Sequence, residues 1–169
     1  MLSSLCKLYK RMKTILFSLI FGCLSFISFA QKESTSPTWY TDVSLAAQAA
    51  VLEQKPMMLF FTGSDWCGWC HRLQREVFNT ATFSTWASTN VILVELDFPR
   101  NKVQPQAIKD QNQKLQQQFM VQGYPTAWFV NVTKVESEYK MAPLKSAGYM
   151  EGGPNKWIAN AKSIIGRGK

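Results

Sequence analysis

Two cysteines separated by two residues, Cys67 and Cys70, carry the clearest chemistry in this 169-residue chain, and His71 follows them directly. Two classes of site use such a spacing. Cys-x-x-Cys is the spacing of a dithiol redox centre, whereas Cys-x-x-Cys-His is the spacing through which c-type haem is attached. The surrounding sequence must decide between a disulfide-exchange enzyme and a haem electron-transfer protein.

The cysteines follow a predicted buried strand and open a predicted helix. The strand is the apolar run MMLFFT, which ends at Gly63. After it, Cys70, Leu73 and Val77 recur at spacings of three and four, which indicates a helix. A cysteine at a helix N-terminus is stabilised as a thiolate, and its pKa can fall from about 8.5 to between about 3.5 and 7.5. We therefore interpret Cys67 as the nucleophile and Cys70 as the resolving thiol.

The rest of the pattern alternates helices with strands. A first helix is expected from Asp42, with Thr41 or Asp42 as N-cap and with Leu45, Ala49 and Leu52 as its apolar face. The later predicted elements are a helix in ATFSTWAST, a strand in VILVELDF, a helix over 106–120, a strand in TAWFVNV, an irregular extension with a short strand near 145–149, and a helix over 155–165. This order predicts an α/β fold with helices on both faces of a central sheet.

The N-terminal thirty residues differ in composition from the rest. They contain four basic residues, no acid and an apolar run over 15–30. This pattern predicts a signal peptide cleaved after Ala30, a flexible lead-in over 31–38 and one domain over 39–169. A retained anchor is the alternative, but the run is shorter than the ~20 residues of a spanning helix. Cys23 is a weak candidate for lipidation.

Cleavage would change both the charge and the cysteine content. The chain has 19 Lys and Arg against 11 Asp and Glu, and the loss of four basic residues leaves a modest positive excess. Because these charges are scattered, we expect no nucleic acid partner. Cys67 and Cys70 would remain as the only sulfur pair of an exported protein, periplasmic or secreted. The loop between them is too short for an effective structural crosslink, so the pair is interpreted as chemical.

Haem and zinc are the alternatives for the cysteine motif. Haem would take His71 as its proximal ligand and a methionine such as Met120 or Met141 as the second. Small haem domains of this kind are largely helical, which the alternating pattern is not. For zinc, the motif supplies three ligands, of which Cys70 and His71 are adjacent and cannot easily share one tetrahedron. We expect no metal and no organic cofactor.

Motifs beyond the cysteines point to a known family. They are Trp39 before the first helix, Lys55-Pro56 before the strand, DWCGWC over 65–70, Leu96-Asp97 at the end of the next strand, and VQGYPT over 121–126. On these residues the chain resembles the thioredoxin superfamily, in particular exported proteins similar to the C-terminal periplasmic domain of the bacterial transmembrane thiol:disulfide interchange reductase. The resemblance covers nearly all of residues 39–165 and implies a thioredoxin fold, with a central mixed β-sheet flanked by helices on both faces.

The resemblance also implies an activity and a set of site residues. The activity is thiol:disulfide exchange on protein disulfides, with a reductase favoured over an oxidase or isomerase. Pro125 would be a cis-proline facing the dithiol, and the backbone of Tyr124 would pair with an extended substrate segment. Trp66 and Trp69 would form an apolar rim for docking. The implied partners are protein disulfide substrates and a membrane thiol reductase as electron donor, and the protein is expected to be a monomer.

The chain departs from the family at Phe61. Many thioredoxins carry a buried acid at this position, six residues before the first cysteine, and the acid assists proton transfer at the resolving thiol. Asp65 and Glu76 are the candidates for that role here. His71 is interpreted as a surface residue or as a positive neighbour of the thiolate. A redox-inert binding module that uses the Tyr124-Pro125 groove stays as a further alternative.

Overall fold

The strands form one mixed sheet in the computed structural model, which describes residues 37–166. They are β1 (Trp39–Tyr40), β2 (Met57–Thr62), β3 (Ile92–Asp97), β4 (Thr126–Val135) and β5 (Glu138–Ala147). Their order is β1-β3-β2-β4-β5, in which β1, β3 and β2 are parallel and β4 and β5 are antiparallel to their neighbours. The predicted mixed sheet is confirmed. The predicted signal peptide and most of the predicted lead-in lie outside the described residues.

Helices cover both faces of this sheet, as predicted. They are α1 (Val43–Glu53), α2 (Gly68–Leu73), α3 (Ala81–Asn90), α4 (Gln106–Gln118) and α5 (Gly153–Gly166), and α2 continues as a π-helical segment, Gln74–Phe78. One apolar core joins a sheet face to α2, α3 and α5, and the other joins the opposite face to α1 and α4. No helix within 37–166 has the length and apolar character that a membrane span requires.

Strand β2 lies inside the sheet and is buried along its whole length. Met58 and Phe60 belong to the core on the α2 side, while Leu59 and Phe61 belong to the core on the α1 side. A continuous apolar run suits a strand with both faces covered, because every side chain then leaves water. The end of β2, from which the cysteine segment departs, therefore lies between the neighbouring strands β3 and β4.

Helix α1 begins at the predicted cap but buries a different face. The Asp42 carboxylate accepts hydrogen bonds from the N–H groups of Ser44 and Leu45, at 2.8 and 3.2 Å. The predicted apolar face is wrong, since Leu45 is 55% exposed and Leu52 is 75% exposed. The buried residues are Val43, Ala46, Ala47 and Ala50. Small side chains on this face let the helix lie close to the sheet, where leucine would not fit without overpacking.

The predicted irregular extension is also wrong, and the short strand predicted near 145–149 is the end of a longer one, because β4 and β5 form a long hairpin. The two ten-residue strands are joined at Glu136, which has a left-handed backbone with φ 56°. Pro143 indicates a loop in the sequence, but β5 is an edge strand, where proline is tolerated because one side of the strand has no ladder partner. Strand β1 was not predicted, since two residues carry no detectable periodicity.

Candidate active site

The two cysteines of the motif are joined by a disulfide at the start of α2. The Sγ atoms of Cys67 and Cys70 are 2.11 Å apart, and their Cα atoms are 5.2 Å apart. Cys67 is the N-cap residue of α2, and its Sγ accepts a hydrogen bond from the Cys70 N–H at 3.2 Å. Cys67 is 6% exposed and Cys70 is fully buried. Of the two sulfur-bearing residues, therefore, Cys67 is the one that solvent and a partner can reach.

The turn between β2 and α2 is fixed by hydrogen bonds and by one glycine. The N–H groups of Trp66 and Cys67 both donate to the Gly63 carbonyl, at 3.2 and 2.9 Å. A Cβ at Gly63 would overlap the Trp66 indole, so a larger residue there would displace the ring. Ser64 donates to the Asp97 carboxylate from its backbone N–H and its hydroxyl. This turn holds Cys67 against the end of the sheet.

Trp66, predicted to form part of a docking rim, is half-buried and held by three neighbours. Its indole N–H donates to the Phe98 carbonyl at 2.8 Å, and its ring meets the Tyr124 ring edge-on at a centroid distance of 5.7 Å. The Arg100 guanidinium lies 4.1 Å from the ring centroid. Trp66 thus joins the turn before Cys67 to the loop after β3 and to the loop before β4.

Asp65, a candidate for proton transfer, instead organises the loop that carries Arg100. Its carboxylate accepts hydrogen bonds from the backbone N–H groups of Arg100 and Asn101, the shortest at 2.7 Å. These two N–H groups, that of Arg100 first, lower the pKa of Asp65 below its usual range. A carboxylate that stays ionised is poorly suited to carry a proton near neutral pH.

Pro125 lies at the end of the sheet from which the cysteine segment departs. The Tyr124-Pro125 peptide bond is cis. Because β4 runs antiparallel to β2, with Phe61 opposite Thr126, the start of β4 lies beside the end of β2. The loop before β4 and the turn before Cys67 therefore meet, and the ring contact between Trp66 and Tyr124 joins them.

The side chain of Tyr124 packs inward. Its hydroxyl accepts a hydrogen bond from Gln116 Nε2 at 2.7 Å, and its ring stacks on Phe98 at a centroid distance of 5.3 Å. Burial raises the pKa of Tyr124 to about 12. Because the side chain is occupied in this way, the backbone is the part of Tyr124 that is free to contact a substrate, as the family resemblance implies.

Trp69, the second predicted rim residue, is 56% exposed and lies between the two cysteines in the chain. Its ring lies 5.3 Å from the ring of Tyr149, measured between centroids. The Arg72 guanidinium lies 5.4 Å from the Trp69 centroid and 4.9 Å from the Tyr149 centroid. The sequence did not predict that Tyr149 lies at this site, because Tyr149 follows β5 and is far from the cysteines in the chain.

Glu76, the other proton-transfer candidate, holds this aromatic pair together. Its carboxylate accepts hydrogen bonds from the Tyr149 hydroxyl at 2.7 Å and from Arg72 Nε at 2.9 Å. The bond from Tyr149, and then that from Arg72, lowers the pKa of Glu76, while the Glu76 carboxylate raises the pKa of Tyr149. Glu76 therefore acts as an ionised acceptor rather than as a proton carrier.

One half-buried and one fully buried polar residue remain near the end of the sheet. Burial, followed by the negative charge of Asp97, raises the pKa of half-buried Glu95 on β3. Thr62, the last residue of β2, is fully buried, and its hydroxyl has no hydrogen-bond partner within the described part of the chain. Phe61, where many thioredoxins carry an acid, packs against Phe98 and Phe119.

The geometry does not favour the haem and zinc alternatives. The cysteine sulfurs are bonded to each other. The side chain of His71 is exposed, and its Nε2 lies 2.9 Å from the Ser64 carbonyl oxygen. Residues 37–166 contain no group of three or more His, Cys, Asp or Glu side chains placed to share a metal ion. The arrangement is that of a dithiol pair that opens and closes a disulfide.

Known proteins share both the fold and this site. Residues 43–136 match the thioredoxin-like domain family. The chain is 32% identical over 138 residues to the disulfide bond reductase DsbH of Chlamydia pneumoniae. The aligned region covers 79% of each protein. A solved DsbH oxidoreductase, also 32% identical, superposes with a TM-score of 0.68 over 77% of this chain and 85% of that one. A thioredoxin from Thermus thermophilus, 15% identical, shares the fold with a TM-score of 0.54 over 76% of this chain and 87% of its own.

Proposed function

The chain belongs to the thioredoxin-like family and is a thiol:disulfide oxidoreductase, and from this we propose that it works as a reductase of protein disulfides. In this proposal Cys67 is the nucleophile and Cys70 the resolving thiol. Trp66, Trp69 and the Tyr124-Pro125 backbone contact the substrate. The oxidised form of the pair is the product state of the cycle.

The observation that carries the proposal is the position of the disulfide. The sulfur of Cys67 accepts the Cys70 N–H at the first turn of α2, which continues into the π-helical segment. The same N–H, together with the positive end of the helix dipole, would stabilise a thiolate on Cys67 once the disulfide is reduced. The direction toward reduction is supported by the relative that is named a disulfide bond reductase.

The first step is attack by the Cys67 thiolate on one sulfur of a substrate disulfide. A bond forms between Cys67 Sγ and that sulfur, the substrate S–S bond breaks, and the other substrate sulfur leaves as a thiolate. Attack must run along the line of the substrate S–S bond, so the substrate chain lies across the exposed end of the motif, beside Trp69 and Pro125.

In the second step the Cys70 thiol loses its proton to the solvent and its sulfur attacks Cys67 Sγ. The Cys67–Cys70 disulfide forms, and the mixed disulfide breaks to release the second substrate thiolate, so that two electrons have passed to the substrate. Cys70 is buried one turn along α2 from Cys67, so Cys67 Sγ is the sulfur that it can attack. A dithiol donor must then reduce the enzyme for the next cycle.

The cellular setting is part of the proposal. The predicted signal peptide supports an exported protein in the periplasm or outside the cell, with a membrane thiol reductase as electron donor. The partners that it acts on are proteins with disulfides. Reduction of periplasmic disulfides needs such a donor because that compartment is kept oxidising.

The experiment that tests the direction is a measurement of the reduction potential in defined thiol–disulfide buffers, on the protein from residue 31. A reductase is expected near or below about −250 mV, whereas a value above about −180 mV would indicate an oxidase or isomerase. The absence of any reversible two-electron couple would favour a redox-inert binding module instead.

The experiment that tests the two roles uses cysteine variants. Cys70→Ser keeps the nucleophile but not the resolving thiol, so incubation with a disulfide peptide should trap a mixed disulfide that mass spectrometry detects on Cys67. Cys67→Ser should trap nothing, because buried Cys70 is out of the substrate's reach. An adduct on Cys70 in the Cys67→Ser variant would reverse the assignment of the roles.

A further inference from the structure

We propose that Trp69 selects substrates by contacting an apolar side chain next to the substrate cysteine, and that Glu76, Arg72 and Tyr149 are the positioning residues that hold its indole in place. The inference rests on the proposed function, because it concerns which disulfides reach Cys67. It adds a specificity to that reaction and a role for three residues outside the cysteine motif.

The indole of Trp69 is exposed to solvent. Residues 37–166 contain all six tryptophans of the chain, and Trp69 is the one that the structure classes as exposed, at 56%. An indole left in water contributes little to folding, since its apolar surface is only partly buried. Tryptophan is also the residue type most enriched among the strong contacts of protein interfaces. The position therefore favours a contact with another molecule.

The indole of Trp69 also belongs to the turn that carries the dithiol. Trp69 is two residues from Cys67 in the chain, and Cys67 is the more solvent-accessible cysteine of the disulfide. An extended chain advances about 3.3–3.6 Å per residue, so the residues on either side of a substrate cysteine bonded to Cys67 lie over the first turn of α2, to which Trp69 belongs. Trp69 is the exposed large apolar side chain of that turn.

The indole is held in place before any substrate arrives. The Arg72 guanidinium lies beside both rings, 5.4 Å from the Trp69 centroid and 4.9 Å from the Tyr149 centroid, and Glu76 accepts hydrogen bonds from both Arg72 and Tyr149. Tyr149 belongs to the segment between β5 and α5, so the ring is fixed from a part of the chain remote from α2. A side chain that is already immobilised loses less entropy when it binds.

The cation that contacts the Trp69 ring, Arg72, is already paired with a carboxylate, which favours an apolar partner at this ring over an acidic one. The Arg72 charge is matched by Glu76, with Nε 2.9 Å from Oε1, and Arg75 also lies 3.6 Å from that oxygen. The guanidinium of Arg72 is thus occupied by a carboxylate and by two rings. What the cluster offers to a substrate is the face and edge of Trp69.

The test compares two peptides, each with one disulfide, that differ only in a leucine or a serine next to the attacked cysteine. A neutral small disulfide, hydroxyethyl disulfide, reports the chemistry without a flanking side chain. The wild-type enzyme should reduce the leucine peptide about tenfold faster in kcat/KM than the serine peptide, the range that one apolar contact supplies. Trp69→Ala should bring this ratio close to one, with each peptide rate expressed relative to the rate of the same variant on hydroxyethyl disulfide.

Leu52→Ala is the matched control. Leu52 is a large apolar side chain on α1, 75% exposed, and is outside the cysteine site. Its removal should leave the ratio unchanged. The proposal is overturned if the wild type reduces both peptides equally, or if Trp69→Ala keeps the preference. A wild type that reduces none of the three disulfides would instead refute the proposed function.

The positioning role needs its own measurement. Tyr149→Phe keeps the ring but removes the hydroxyl that donates to Glu76, and Glu76→Ala removes the acceptor. Each should lower the leucine preference by about twofold to fivefold through a higher KM for the leucine peptide, with kcat and the rate on hydroxyethyl disulfide unchanged. Equal preference in the wild type and both variants, with all three folded by circular dichroism, would overturn the assignment of Glu76 and Tyr149.

Discussion

The Asp97 carboxylate accepts two hydrogen bonds from Ser64, one from its backbone N–H at 2.7 Å and one from its hydroxyl at 2.6 Å. Asp97 ends β3, and Ser64 lies in the turn that leads from β2 to Cys67. The turn that leads to Cys67 is thus hydrogen-bonded to the neighbouring strand β3 as well as continuous with β2. Asn112 on α4 adds to this junction by donating to the Asp97 carbonyl at 3.0 Å.

Replacement of Asp97 with alanine should therefore weaken the fold near the dithiol. Hydrogen bonds to a charged group contribute about 1.5–3 kcal/mol, so we expect Asp97→Ala to lower the free energy of unfolding by about 2–3 kcal/mol. Denaturant unfolding followed by circular dichroism measures this. Asp110→Ala removes an exposed carboxylate on α4 and should stay within about 0.5 kcal/mol of the wild type. An equal decrease in the free energy of unfolding in the two variants would mean that the hydrogen bonds between Asp97 and Ser64 do not stabilise the fold.

The two faces of α1 should respond in opposite ways to substitution. Leu52→Ser changes an exposed residue and should alter the free energy of unfolding by no more than about 0.5 kcal/mol. Ala46→Leu adds volume to a fully buried position and should cost about 1–3 kcal/mol. Thermal and denaturant unfolding of the two variants test the orientation of the helix. A larger loss for Leu52→Ser than for Ala46→Leu would restore the face that the sequence predicted.

The buried hydroxyl of Thr62 should make the wild type less stable than a variant without it. It has no hydrogen-bond partner within the described residues, and an unpaired buried polar group costs about 1–3 kcal/mol. Thr62→Val keeps the branched shape suited to a strand and should raise the free energy of unfolding of the oxidised protein by about 1 kcal/mol. A less stable Thr62→Val variant would show that the hydroxyl does have a partner in solution.

Glu95 should make the stability of the protein fall as the pH rises above the ordinary range of a carboxyl group. Its pKa is raised in the folded state, so the folded protein binds this proton more tightly than the unfolded chain. The resulting stabilisation is complete below about pH 4 and is lost as the pH rises through the raised pKa.

Glu95→Gln removes this dependence. At pH 7 it should be more stable than the wild type by up to about 1 kcal/mol, because solvent screens part of the effect at a half-buried site. Comparison of unfolding free energies at pH 4 and pH 7 measures the difference. Glu138→Gln, which changes an exposed carboxylate on the hairpin, should follow the wild type at both values. The same pH dependence in Glu95→Gln and the wild type would contradict the cause assigned here.

The parts of the fold that could be predicted are those encoded by short, continuous patterns. The apolar run of β2 and the spacing of Cys70, Leu73 and Val77 each specify one element through its own period, and the structure confirms both. The position of the cysteine pair between these two elements follows from their order. Such features need no knowledge of what packs against them.

The parts that could not be predicted depend on residues distant in the chain. Glu76 and Tyr149 are 73 positions apart, and neither has a pattern that names the other as its partner. The predicted orientation of α1 was wrong for a related reason. In the sequence the leucines are the more hydrophobic residues, but the helix packs so close to the sheet that its alanines are buried instead.

The outer edge of the hairpin, strand β5, is protected against pairing with strands of other chains. β5 is the last strand of the sheet, and it carries Lys140, Lys145 and Pro143, with a shift in register against β4 after Phe129. Proline offers no N–H to an incoming strand, and lysines and irregular register also disfavour edge-to-edge pairing. The side of the sheet at β5 is thereby a poor template for aggregation with other extended chains.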